Sequence, residues 1–223
     1  MLKRTLTALA MIALTAPAAG AASISKSYSY FSIGGSTLDE IESQLAERGP
    51  HVQSSGRRHP GVTQMEFKSR IGYGEQNGRC RIVQADVTVK AKVILPKWRR
   101  SKQADREVRL IWDTLAADIK RHEESHVVIA KNHARELERA LLAIDRQPTC
   151  QQTAEKIKEV TAKVLARHNA AQDEFDRVEG INFESRLLRL MLYRLEQMQA
   201  AERAKNYRPS FIVEFWQKIF GST

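Results

Sequence analysis

The strongest constraint on the fold is a long apolar register advancing mostly in steps of three and four: Val108, Trp112, Leu115, Ile119, His122, His126, Ile129, His133, Ala140 and Ile144. This period follows one face of an α-helix and does not fit a strand. It predicts a helix from about Ala104 to Ile144, broken by Pro148. Two histidines interrupt the stripe itself, in the run His122-Glu123-Glu124-Ser125-His126. Four residues apart on a helix, they stand about one turn from each other on the same face, where both imidazoles can reach one metal ion. Glu123 between them is placed to take a proton from water, whose pKa zinc lowers from about 15.7 to about 7. A single buried histidine is often satisfied by its neighbours. Two on one buried face beside a glutamate are harder to satisfy without a metal.

Beyond Pro148 a second helical register runs Ile157, Thr161, Val164, His168, Ala171, Phe175, Val178, predicting a helix from about Gln151 to Val178. Folded back about Pro148, it brings residues 168–176 to the level of 120–128, so that His168, Asp173, Glu174 and Asp176 face the histidine pair. Gly180-Ile181-Asn182 then reads as a break before a further amphipathic helix from about Phe183 to Ala204. Upstream, Tyr28 to Ile33 reads as a strand and Gly34 to Thr37 as a turn and helix N-cap. A helix to about Arg48 follows, stopped by Gly49-Pro50. Residues 51–60 read as a polar loop, and Met65, Phe67, Ile71 and Tyr73 as a second strand. The clearest strand covers residues 80–95, with Val87, Val89, Ala91, Val93 and Leu95 on one face and Thr88, Lys90 and Lys92 on the other, ended by Pro96. One buried and one wet face suit an antiparallel sheet. The expectation is therefore an α+β domain over residues 22–204, a small antiparallel sheet with a long helical hairpin carrying the H-E-x-x-H motif.

Lys3 and Arg4 precede an apolar stretch, Leu6 to Leu14, and the small residues Ala19-Gly20-Ala21. Residues 1–21 accordingly read as a secretory signal peptide, placing the mature chain in the periplasm or outside the cell. Their removal lowers the formal charge from +10 to +8, since they carry no acidic residue. The basic residues are interleaved with Asp and Glu along helices, the pattern of a solvated face, and no nucleic-acid motif accompanies them. In an oxidising compartment Cys80 and Cys150 are most simply a disulfide. The terminal segment 205–223 is amphipathic, with Phe211, Ile212, Val213, Phe215, Trp216 and Phe220. It reads as an element docked on the core, with contact to a membrane surface or partner as the alternative.

The chain also resembles a bacterial family of predicted secreted zinc-dependent proteases, grouped as a domain of unknown function. The likeness covers about residues 28–184. It rests on Tyr28-Ser29-Tyr30-Phe31 with Gly35-Ser36-Thr37, on Gly61-Val62-Thr63, on Cys80 before the alternating strand, and on Leu95-Pro96-Lys97-Trp98. It includes Arg121 to His126, Cys150 and Phe175-Asp176. Ser125 stands where the family usually has Gly. Ile181-Asn182 stands where the family's segment continues to His-Gly, so the third ligand that histidine would supply is missing.

Catalytic zinc takes three protein ligands. His133 lies on the same stripe but about 10 Å along the helix from His126, out of reach of the same ion. An extended motif with Gly at 129 and a third His at 132 is excluded by Ile129 and Asn132. Asp176 matches the family's pair and lies at the right level of the second helix, with His168 and Glu179 as alternatives. The expected protein is a zinc-dependent metallohydrolase of the cell envelope acting on a peptide or protein substrate. Zn2+ is held by His122, His126 and Asp176, and Glu123 is the general base. A non-catalytic zinc-binding envelope protein and a metal-free helical interaction module are the alternative readings.

Overall fold

A computed structural model describes residues 22–52 and 56–206. The expected signal peptide and nearly all of the 205–223 tail lie outside the described residues. The chain is α+β. Its elements are β1 (Ser23–Ile33), α1 (Leu38–Arg48), β2 (His51–Val52), β3 (Arg57–Arg58), β4 (Val62–Gln76), β5 (Arg79–Trp98), α2 (Arg106–Leu142) and α3 (Cys150–Asn206).

β4 and β5 form a long hairpin closed by Asn77-Gly78, both at positive φ (54° and 67°). Asn-Gly is the pair that two-residue hairpin turns favour, because both central residues must take left-handed conformations. β1 adds to the other side of β5, from Ser23 opposite Thr88 to Ile33 opposite Trp98, giving the order β1-β5-β4. That pairing is parallel, so the sheet is mixed where an antiparallel one was expected. Alternation along β5 determines which face is wet. It does not determine the direction of the neighbouring strand.

The ladder slips once, where Gly72 faces Gln84 and Tyr73 faces Ile82, leaving Val83 as a bulge. An extra residue shifts the alternation by one. Cys80 and Ile82 before the bulge, and Ala85, Val87, Val89, Ala91, Val93 and Leu95 after it, can therefore all point into the core. β5 also continues through Pro96 to Trp98 instead of ending there. β4 stops pairing at Ile94, so beyond that point β5 is an edge on that side and the missing proline N–H costs no bond to β4. Residues 51–52 and 57–58 form a short antiparallel ladder inside the expected loop.

α2 lies across the inner face of β5. Val87 and Val89 pack against Ala130, Ala134, Leu137, Leu141 and Val164, while Ala91, Val93 and Leu95 pack against Ile119 and Val127. Trp98 and Trp112 close the far end with Ile33 and Ile41. α1 is capped by Thr37, whose hydroxyl accepts from the Glu40 N–H at 3.3 Å.

The Cys80–Cys150 disulfide fastens the start of α3 to the start of β5. From there α3 runs antiparallel to α2 as one helix of 57 residues, with no break at Gly180-Ile181-Asn182. A mid-helix glycine costs about 1 kcal/mol relative to alanine, and local bonds offset it. The Asn182 amide donates to the Val178 carbonyl at 2.8 Å, and the Arg186 guanidinium reaches back to the Glu179 carbonyl at 3.4 Å. Arg186 also clamps the buried Asp118 of α2 through two bonds of 3.1 Å. Among the described residues no helix is long and apolar enough to cross a membrane.

Candidate metal centre

At mid-height of the hairpin, α2 turns His122 and His126 toward α3, and α3 turns Asp176 toward them. The two Nε2 atoms are 3.1 Å apart, and Asp176 Oδ1 lies 3.2 Å from His122 Nε2 and 3.0 Å from His126 Nε2. These residues form the one group of metal-ligating side chains of this kind among the described residues. Three atoms that each carry a lone pair repel at this spacing unless a proton or cation sits among them. Donors about 2.0–2.1 Å from a tetrahedral zinc ion are themselves about 3.3 Å apart, so the triangle fits such an ion.

Each imidazole is held from behind. His126, 9% exposed, places Nδ1 2.5 Å from Gln172 Oε1, and Gln172 is equally buried. His122 turns Nδ1 toward Glu179 at 3.7 Å, and Glu179 pairs with Arg121 and Arg186. The Phe175 ring stacks on His122 with centroids 5.1 Å apart and meets His126 edge-on. Groups that hold the distal nitrogen of an imidazole orient it for a metal. Burial raises the Asp176 carboxyl, but hydrogen bonds to His122 and His126 outweigh it and leave the group well below the usual carboxylate range. Burial opposes charge on His126, yet Asp176 and Gln172 together push its value up.

Glu123 is buried beside the triangle and pinned by the start of β4. The Thr63 hydroxyl lies 2.8 Å from Glu123 Oε2 and 2.9 Å from the Glu123 carbonyl. Gly61 leaves room for the carboxylate, since a Cβ there would come within 2.9 Å of Oε1. Burial pushes the Glu123 carboxyl above its ordinary value, against the Thr63 hydrogen bond and the two imidazoles. Glu124 points the other way and accepts a hydrogen bond from Tyr28 of β1, with Lys26 at 3.4 Å.

The structure thus gathers Glu123, His122, His126 and Asp176 from the sequence expectation. Of the alternative ligands, Glu179 stands behind His122. His168 is one step removed, bonded at 2.8 Å to the Gln172 amide. Asp173 and Glu174 take no part in the donor group, and Glu174 pairs with Arg177. His133 also stays out of the group, its ring 5.5 Å from that of His168. Sequence reasoning missed Gln172 and Thr63. Gln172 lies one turn before Asp176 on the same helix face, and Thr63 ends the Gly61-Val62-Thr63 run.

The fold and site define an α+β protein whose two-helix hairpin carries a group able to hold a metal ion. The chain belongs to a bacterial family described as proteins of unknown function (DUF922), whose family model matches residues 28–184. No curated protein and no solved structure matches the chain. A disulfide suggests a location outside the cytoplasm.

Proposed function

We propose that the protein is a zinc-dependent metallohydrolase of the cell envelope, most simply a peptidase. The reading is carried by one observation: His122, His126 and Asp176 converge within 3.2 Å of one another, with buried Glu123 beside them. His122 Nε2, His126 Nε2 and Asp176 Oδ1 would hold the ion. When bound, zinc supplies a Lewis acid that polarises a carbonyl and brings the pKa of water to about 7.

The protein's own groups supply the rest. Thr63 holds the Glu123 carboxylate in the space that Gly61 leaves, and burial raises its proton affinity toward the range useful to a base at neutral pH. Glu123 takes a proton from the attacking water and delivers it to the leaving amine. Glu179 and Gln172 stand behind the imidazoles and leave their Nε2 atoms turned toward Asp176.

The test is zinc content and peptide cleavage in the wild type, Glu123→Gln and His126→Ala, with a mixed-peptide library read by mass spectrometry. Near-stoichiometric zinc is expected in the first two and none in the third. Cleavage should fall by about 10²–10⁴-fold in Glu123→Gln. Undiminished cleavage in Glu123→Gln would remove the mechanism. No zinc in the wild type after reconstitution would remove the metal reading.

A further inference from the structure

Among the described residues, those buried within α3 are Thr153, Val164, His168 and Gln172; Gln172 adjoins the donor triangle and His168 stands behind it. We propose that Gln172 is a positioning residue that selects which nitrogen of His126 is free for the metal, and that His168 and Asn169 lock Gln172 in that orientation. This rests on the metal reading above.

The direction of the hydrogen-bond chain follows from one group that cannot change its role. An amide side chain can be turned end for end without altering its shape, so its partners decide its orientation. One end of Gln172 lies 3.2 Å from the His126 carbonyl oxygen, which can only accept. That end is therefore the NH₂ group. The other end, Oε1, faces His126 Nδ1 at 2.5 Å, so Nδ1 carries a hydrogen and donates it. A neutral imidazole has one N–H. In the neutral form that takes a metal, Nε2 of His126 is then left with its lone pair, and Nε2 is the atom that faces His122 and Asp176.

The second amide hydrogen of Gln172 points to His168 Nε2 at 2.8 Å. That nitrogen must accept, which places the His168 proton on Nδ1, where Asn169 Oδ1 stands 3.1 Å away to receive it. Burial pushes the His168 imidazole below its ordinary value, which favours the neutral form. From Asn169 to His126 each group has one self-consistent role. The ordinarily preferred imidazole tautomer carries its proton on Nε2, so this chain does thermodynamic work at His126.

The experiment compares wild type, Gln172→Leu and Gln172→Glu. Zinc affinity is measured by competition with a chromophoric chelator, and imidazole ¹⁵N shifts are read on the metal-free proteins at a pH where both site histidines are neutral. Gln172→Leu should weaken zinc by about 10–100-fold, the effect typical of losing a partner that orients a ligand. Gln172→Glu should bind more tightly than Gln172→Leu, because its carboxylate still accepts from Nδ1. A residue that only fills space predicts the opposite order, since leucine is of similar size and a buried charge is not tolerated. In the metal-free wild type His126 should carry its proton on Nδ1, and in Gln172→Leu it should shift toward Nε2. Equal zinc affinities, the reversed order, or an Nε2–H wild type would each overturn the proposal. A wild type that takes no zinc but shows Nδ1–H would overturn the metal reading and the positioning role with it, leaving only the tautomer that Gln172 sets.

Discussion

Replacing Arg186 with Met tests what keeps the distal half of α3 against α2. Asp118 is 4% exposed and receives two hydrogen bonds from Arg186, at 3.1 Å each, and one from Arg121 at 3.0 Å. Arg186→Met keeps the apolar stem and helix propensity but strips Asp118 Oδ2 of its donor. Breaking one side of a buried pair costs about 3–5 kcal/mol. Arg121 remains, so the lower end, about 3 kcal/mol, is expected, or about 6–12 °C in Tm for a chain of this size. Urea unfolding followed by circular dichroism, with chelator present so that metal does not contribute, measures the loss. The difference should also depend on pH. Burial raises the Asp118 carboxyl, but Arg186 and Arg121 outweigh it and hold the group below its ordinary value in the folded protein. Its contribution is therefore full above the unfolded value of about 3.9 and is lost as pH falls through that value toward the folded one. The variant lacks most of this contribution, so its gap to wild type should narrow from pH 7 to pH 3.5. A loss under about 1 kcal/mol, or a gap that widens in acid, would refute the reasoning.

Gly180→Ala should stabilise the protein by about 1 kcal/mol, raising Tm by about 2–4 °C, because the helix is continuous there and, beyond its neighbours and the local helix backbone, no atom lies within 4 Å of the added Cβ. A fall in Tm on calorimetry would mean that the chain breaks at this position after all. Cys80→Ser with Cys150→Ser opens a covalent loop of sequence separation 70. On the chain-entropy relation this should cost about 4 kcal/mol in urea unfolding, and a loss below about 1 kcal/mol would contradict it.

The helical hairpin and the motif face were legible because both rest on periodicity, which the chain shows mostly in steps of three and four from Val108 to Ile144. The Cys80–Cys150 pair was legible because two cysteines allow one pairing. The direction of β1 was not, since a strand's alternation carries no information about the direction of its neighbour. Asn77-Gly78 did carry a readable hairpin signal. The break expected at Gly180 illustrates the opposite error. Glycine's intrinsic cost is local and small, while the clamp that offsets it joins Arg186 to Asp118 across 68 positions. Asp176 was found through the resemblance and the level of the hairpin. Gln172 was not, because a glutamine on a helix face looks the same whether it meets water or a histidine. Thr63 escaped for a similar reason: its role depends on which strand end reaches Glu123.

The site makes an unusual demand on the hairpin that carries it. Two donors stand on α2 and the third on α3, and they fit within a triangle of edges 3.0–3.2 Å. Sliding α3 by a single residue would move Asp176 about 1.5 Å along the axis and turn it through about 100°. Apolar contacts are non-directional and tolerate such changes when similar side chains replace one another. Yet α3 buries few apolar side chains: among its described residues Val164 alone of the apolar ones is fully buried. Its axial position is set by directional fasteners spread along its length. The disulfide holds its start, Arg167 reaches Glu136, Gln172 grips both the ring and the carbonyl of His126, and Arg186 clamps Asp118 beyond the site. Each bond has a reach of about 3 Å, so no one of them survives a one-residue slip. A polar interface that adds little net stability per contact is thus suited to a helix whose first requirement is register.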